Sequence, residues 1–457
     1  MTRIPSCSLV ALALVAALPL DAAAEAPAGP APIPLAEALQ QLDAQSLTLA
    51  QARGRAEEAQ SMVRQAMAGF LPTAAVGVSY VRNNEGARLS LSPVLDSIEG
   101  GLQQATGRPI KLDRTNVPAA QVIQPLEAFT GSANVRVPLF AANQFLDWKA
   151  AKEVAGVSAA SMETVRLQLR AALVQAAWGS GAAEDIAAAS ERALAIAQEH
   201  ERSAARNVEA GIATPLSHLQ AQTEVVRRES DVARTRSERE RAWLAVGVLL
   251  GRAEPVRVAL PGGPASIPMD PEALIKDAVG RRPELRAQDA AVRAGELQLD
   301  SALWRHAPQL SAGFTFLASD VPFVTGEQIA WKASVDLSWT LYDGGFRYGK
   351  RDQAQAQIAT NKAALAAQRI EISQQVRDAT RDVSVAEERL RLAIRQKELA
   401  QEVYGSAKRS FEAGLASSLD VLDANDRLYQ ADVGLADARA RLGMARVSLE
   451  RATGALL

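Results

Sequence analysis

One cysteine stands in the 457-residue sequence, Cys7, and it lies inside what reads as an N-terminal secretion signal. Arg3 supplies a positive start, Ser8 to Leu20 a short apolar run, and Ala22-Ala23-Ala24 the small residues of a cleavage point. The pattern predicts a signal peptide over residues 1–24 and a mature chain from about Glu25. Cys7 precedes the apolar run, so it is not placed as a lipid-anchored cysteine would be, and a mature chain without it has neither disulfides nor thiolate metal sites. Aromatic residues make up only 4% of the chain while alanine abounds, a mix that suits long, closely packed helices better than a bulky globular centre. Neither sign of charge is in excess: 50 Lys and Arg stand against 52 Asp and Glu, which argues against nucleic acid as a partner. His200, His218 and His306 are isolated, with no second histidine at metal-ligand spacing, and read as helix-surface residues. Glu224 beside Arg227 and Arg228 reads as a solvated charged face, and Gly262-Gly263 sits between prolines rather than in a phosphate-binding loop. These residues point to no enzyme, no cofactor and no metal. After the signal no apolar run reaches the ~18 residues that a membrane-spanning helix needs, so a membrane crossing by this chain must use strands.

A strand signal is present. From Ile329 to Leu341, the odd positions Ile329, Trp331, Ala333, Val335, Leu337, Trp339 and Leu341 are apolar, and the positions between them are mostly polar. Ordinary strands run ~5 to 6 residues, whereas a strand crossing a bilayer needs ~9 to 11. Trp331 and Trp339 fall on the apolar face about 26 Å apart at ~3.3 Å per residue, close to the ~25 Å band that aromatic girdles flank. Weaker alternation at Val76, Val78 and Tyr80, at Val135, Val137 and Leu139, and at Leu310, Ala312, Phe314 and Phe316 predicts four strands, about 73–84, 131–140, 308–320 and 328–342. Four strands cannot close a barrel in lipid, because open edges leave backbone groups unpaired; a dimer would supply eight and a trimer twelve. The connection from Asn83 to Gln124 is long enough to be an extracellular loop, with a short helix near Val94 to Gln104.

The same order of elements occurs twice. Glu209-Ala210-Gly211-Ile212-Ala213 recurs as Glu412-Ala413-Gly414-Leu415-Ala416, Pro138-Leu139-Phe140 is echoed by Thr340-Leu341-Tyr342, and Phe70-Leu71-Pro72 by His306-Ala307-Pro308. The expected fold is mainly α with transmembrane β: two units of helix, two strands, very long helix and helix, over 25–252 and 272–457, joined by a linker at 253–271. Helical hairpins are expected at about 141–251 and 345–454, with proline-free stretches from Ala141 to Val208 and from Gly345 to Phe411. Val421, Leu428, Leu435, Leu442, Leu449 and Leu456 recur every seven residues, as do Ala424, Ala431, Ala438, Ala445 and Ala452; Ala379, Ala386, Ala393, Ala400 and Ala407 do so in the preceding helix. Such repeats imply left-handed supercoiling, and the alanines permit close approach. Gly211 and Gly414 read as helix stops, Thr214-Pro215 as an N-cap with proline at the first helical position, and Ser417-Ser418-Leu419-Asp420 as a capping box with Asp replacing Glu. A periplasmic coiled-coil structural or adapter protein would explain the heptads and the signal, but not the long amphipathic strand.

The pattern resembles the TolC-like outer-membrane efflux proteins. The resemblance covers Pro34 to Gly454 and rests on Leu341-Tyr342-Asp343-Gly344-Gly345, on Arg282-Pro283-Glu284-Leu285, and on Gly414 through Ala424, in order and within a duplicated frame. It implies a homotrimer that shares a twelve-stranded barrel among outer-membrane lipids and continues as an α-helical barrel across the periplasm. It also implies a periplasmic adapter docked on the hairpin tips, Gly211, Ile212, Ala213, Thr214 and Pro215 with Gly414, Leu415, Ala416 and Ser417, and an inner-membrane pump that supplies energy. Asp420 and Asp423, three residues apart and thus on one helix face, are similar to the family's acidic constriction at the periplasmic entrance; their plainer role is to cap the helix and to favour its positive end. The family's basic-acidic lock at the entrance looks absent, since Ala416 and Ser217 stand at its positions. Drug efflux and type I protein secretion are not distinguished by these residues.

Overall fold

The computed structural model describes residues 29–115, 120–211, 213–260, 270–323 and 325–455; the expected signal peptide, Ile212, Leu456 and residues 261–269 of the linker lie outside them. The chain runs through β1 (Ile33–Pro34), α1 (Leu35–Gln45) and α2 (Leu47–Ala68) into β2 (Thr73–Arg82). A long connection holds β3 (Ala87–Leu89), α3 (Ser92–Thr106) and β4 (Gln121–Gln124) before β5 (Glu127–Phe140), α4 (Ala142–Glu209) and α5 (Pro215–Leu249). After β6 (Val258–Ala259) come α6 (Pro271–Arg281), α7 (Pro283–Trp304), β7 (Gln309–Ser319), β8 (Ile329–Ser338), α8 (Phe346–Glu412) and α9 (Ser418–Thr453). At ~1.5 Å per residue, α4 and α8 each extend on the order of 100 Å.

The sheet has the order β2-β5-β7-β8 with every neighbouring pair antiparallel. Residues directly opposite one another share a face, so the register can be followed across all four strands. Val76 opposes Ala133, Ala133 opposes Phe316, and Phe316 opposes Trp331; Ala74, Val135, Phe314 and Ala333 form the next row. The other face carries Ser132, Asn134, Arg136, Thr315, Lys332, Ser334 and Asp336. Two ends differ from the sequence expectation. β5 begins at Glu127 rather than near 131, because residues 127–130 find partners in Arg82 to Ser79. β8 stops at Ser338 because its neighbour β7 starts only at Gln309, just after Pro308; Trp339 lies beyond the ladder and its indole N–H donates to the His306 carbonyl at 3.0 Å.

The helices pack by their small residues. Val421, Ala424, Ala431, Leu435, Ala438, Leu442, Leu449 and Ala452 are all buried, as are Val376, Ala379, Val383, Ala386 and Ala400 of α8. Approach is close enough that a Cβ at Gly443 of α9 would fall 2.2 Å from the Trp178 ring of α4. One cluster gathers Leu42, Leu173, Val246, Leu250, Val256 and Val258, and another Leu285, Ile372, Val376, Leu442 and Leu449. Val256 and Val258 belong to the expected linker; the chain there folds back, and β6 pairs in parallel with β1. Two of the three motifs that carry the resemblance are junctions. Arg282 reaches the last carbonyls of α9, Ala452 O at 3.2 Å, while Glu284 accepts from its Nε at 3.0 Å. Gly344 and Gly345 take φ of 70° and 90°, and Asp343 accepts from the backbone N–H of Arg347 at 3.2 Å and from its Nε at 2.8 Å, fixing the turn from β8 into α8.

Candidate functional site

The apolar face of the sheet is bare in the protomer. Val76 is 84% exposed, Trp331 70%, Val335 69% and Leu337 68%, far more apolar surface than a soluble sheet leaves uncovered. Trp331 stacks on Phe314 with ring centroids 6.2 Å apart. Among the described residues, strands β2 and β8 are unpaired along their outer edges. Among the described residues no helix is long and apolar enough to cross a membrane.

At the far end lie the two helix turns. Gly211 (φ 73°) and Gly414 (φ 75°) end α4 and α8 in the left-handed region that glycine enters without steric cost. Leu415 N–H closes on Ser410 O at 2.8 Å, and Ala213 N–H on Asn207 O at 3.0 Å. The two starts differ. Ser417 and Asp420 form a reciprocal capping box, with Asp420 Oδ2 2.7 Å from the Ser417 backbone N and 2.7 Å from its Oγ. Thr214 has N-cap backbone geometry before Pro215, but its side chain makes no cap; instead Ser217 Oγ donates to Thr214 O at 2.6 Å. Ser217 is thus occupied within its own turn. The Ser417 side chain and backbone hydrogen bonds hold the Asp420 carboxyl below its usual range. Asp423 pairs with Arg427 at 2.8 Å, so its charge is partly offset. Leu415 is 85% exposed, and Leu216, Leu219 and Leu419 are also exposed. Gly211, Ala213, Thr214 and Pro215 therefore sit in one turn and Gly414, Leu415, Ala416 and Ser417 in the other, while Ile212 lies outside the described residues.

Three sequence readings need correction. The Glu224 group is not a solvated face: Arg228 is 1% exposed, its Nε 2.7 Å from Glu224, its Nη2 2.6 Å from Asp426 on α9, and its guanidinium 4.9 Å from the Tyr429 ring. Tyr429 of α9 packs on Ala189 and Ala193 of α4, and the approach of α9 buries what would otherwise be surface charge. His200 is buried, with Nε2 2.7 Å from Ser418 Oγ and its ring beside Phe411, so it ties α4 to the start of α9. His218 is half-buried, 2.6 Å from Glu201. Asp426 lies 198 residues from Arg228 and Ser418 218 residues from His200, so no spacing in the sequence signals these partners. No group of three His, Cys, Asp or Glu that could hold a metal occurs among the described residues.

A bare amphipathic sheet with open edges, continuous with helices on the order of 100 Å long, is the architecture of a protein that crosses a membrane by strands. The chain belongs to the outer membrane efflux protein family, whose model matches residues 38–252 and 274–455. It is 23% identical over 381 residues to the cobalt-zinc-cadmium resistance protein CzcC of Cupriavidus metallidurans, covering 81% of this chain and 87% of that protein. Its fold is similar to the outer membrane protein VceC of Vibrio cholerae (TM-score 0.72, 17% identity, 92% of this chain and 96% of that one). It is similar too to the CmeC outer membrane channel of Campylobacter jejuni (TM-score 0.74, 15% identity, 92% and 85%). The protein is an outer-membrane efflux channel subunit that extends into the periplasm, and not an enzyme. The coiled-coil adapter alternative falls with that result.

Proposed function

We propose that three copies close into a twelve-stranded barrel, each β8 pairing with the β2 of a neighbour, and pass substrates from a periplasmic adapter and inner-membrane pump to the outside. The observation that carries this reading is the sheet: four antiparallel strands, one continuous apolar face, and two free edges. Each backbone group left unpaired in hydrocarbon costs several kcal/mol, so the edges need partners before insertion. Four strands in strict alternation leave β8 antiparallel to a neighbouring β2, and therefore any number of copies closes without a parallel seam. Eight strands would leave an interior that side chains nearly fill, whereas twelve leave an aqueous lumen lined by Asn134, Arg136, Thr315, Lys332 and Asp336.

In this arrangement Trp331 and Trp339 sit at the two membrane interfaces. The exposed Leu216, Leu219, Leu415 and Leu419 at the tips suit a partner that covers apolar surface, which supports docking of an adapter on 211–215 and 414–417. Asp420 and Asp423, three copies of each, form carboxylate rings at the periplasmic entrance, with Arg427 moderating the second. The test is assembly: cysteines placed singly along β2 and β8 and oxidised in the native membrane should yield covalent trimers, whereas ladders ending at dimers, or no cross-links, would sink the reading.

A further inference from the structure

Six cation–π pairs occur among the described residues, and four of them crowd into one narrow zone, the first turns of α4 and α8. Lys149 lies 4.7 Å from the Phe145 ring centre, Lys152 3.6 Å from Trp148, Lys350 5.7 Å from Phe346, and Arg351 5.9 Å from Tyr348. Both helices begin where the membrane-facing strands β5 and β8 end, so the zone rings the periplasmic rim of the sheet. Phe70, Phe145 and Trp148 pack edge-on or tilted at 5.4 to 6.0 Å, and Phe145, Phe346 and Tyr348 remain exposed. The chain has nine lysines, and three of them are Lys149, Lys152 and Lys350.

The carboxylates nearby are already engaged. Asp147 pairs with Arg305, Glu153 with Arg293, Asp343 with Arg347 and Asp352 with Arg351. Lys149, Lys152 and Lys350 carry no ion pair among the described residues; Lys350 donates only to Gln353. An aromatic face holds each ammonium in place from one side and leaves its remaining N–H donors free on the other, where water meets hydrocarbon. Aromatic rings and long basic side chains at that depth suit an interfacial anion.

We propose that Lys149, Lys152 and Lys350, seated on Phe145, Trp148 and Phe346, bind phosphodiester groups, those of anionic phospholipids in the periplasmic leaflet of the outer membrane. The site rests on the sheet being the membrane-spanning part, and the experiment separates the two. The full-length protein, purified in detergent, is presented with phosphatidylglycerol, phosphatidylcholine or inorganic phosphate and weighed intact by native mass spectrometry. The same preparations are also reconstituted into vesicles of each lipid. Wild type retains phosphatidylglycerol over phosphatidylcholine, and Lys149→Gln/Lys152→Gln/Lys350→Gln loses the preference, by on the order of fivefold per lysine. Lys408→Gln, at the opposite end of α8 and paired with Glu199, keeps it. Equal retention by wild type and the triple variant overturns the proposal, as does displacement of the lipid by millimolar inorganic phosphate. Wild type that inserts into neither vesicle overturns the membrane-spanning reading and the site with it, whereas insertion without lipid preference overturns the site alone.

Discussion

Replacing Arg228 tests whether the two hairpins of one protomer are joined at a buried point. Burying a guanidinium costs several kcal/mol, and here the compensation comes from Glu224 on the same helix, Asp426 on α9 at 2.6 Å, Asp231 at 3.4 Å and the face of Tyr429. Arg228→Met keeps most of the volume and strands the carboxylates instead. Glu224 retains Arg227 at 2.8 Å, and Asp426 is about one-third exposed, so neither is fully orphaned. The loss should then fall near the low end of the range for breaking a buried pair, about 3 kcal/mol. Asp426→Leu removes one of three carboxylates and should cost less, about 1 to 2 kcal/mol. Because the pair shares one contact, the double variant should be less destabilised than the sum, with a coupling of about 1 kcal/mol or more. Hydrogen exchange of the backbone amides in the lower halves of α5 and α9 reads these values directly, since both helices should loosen together. Unchanged exchange in Arg228→Met, or coupling below ~0.5 kcal/mol, would refute the reasoning.

Asp43 of α1 meets Arg166 at 2.7 Å and also Arg170 on α4; burial raises its pKa, but the two arginine hydrogen bonds outweigh that and hold it at about 2. A depressed carboxyl stabilises the fold above its unfolded value of 3.8, so Asp43→Asn should cost about 2 kcal/mol at pH 7, and the gap to wild type should close between pH 4 and 2 in thermal melts. Burial pushes His200 below its ordinary 6.5, which places its stabilisation above that pH; exchange protection near Ser418, corrected for the intrinsic pH dependence of amide exchange, should fall as the pH drops from 7 to 5 in wild type and stay flat in His200→Gln. Gly443→Ala forces a methyl against Trp178 and should lower stability by about 1 to 3 kcal/mol, with a shifted tryptophan fluorescence maximum.

Periodicity made most of the architecture legible. Seven-residue spacing of Leu435, Leu442 and Leu449 selects the buried seam because a two-turn repeat returns to the same face, and alternation around Trp331 selects the lipid face because a strand reverses every residue. The end of β8 was not legible, since Trp339 continues the alternation while its neighbour strand has not yet begun. Nor was the network at Arg228. Asp426 lies 198 residues away, and the charge pattern around Glu224 is the same whether the face is solvated or covered. The return of Val256 and Val258 onto the core was hidden for a similar reason: flanking Pro and Gly signal a change of direction but not its destination.

The two duplicated tips are not equivalent, and the difference bears on the proposed entrance. Gly211 and Gly414 stop their helices alike, yet Pro215 removes a donor from one start while Ser417 and Asp420 cap the other reciprocally. Asp420 therefore has two roles in one carboxylate, a hydrogen-bond acceptor for the turn and a charge at the proposed entrance. Asp420→Ala removes both and should fray α9 by about 0.5 to 2 kcal/mol. Asp420→Asn keeps an acceptor oxygen and removes only the charge. In planar bilayers under a salt gradient, each made alongside Asp423→Ala, the two variants should lose cation preference equally if the charge acts in the pore. A loss confined to the alanine variant would assign the effect to the shape of the turn, and selectivity unchanged in both would place these carboxylates away from the permeation path.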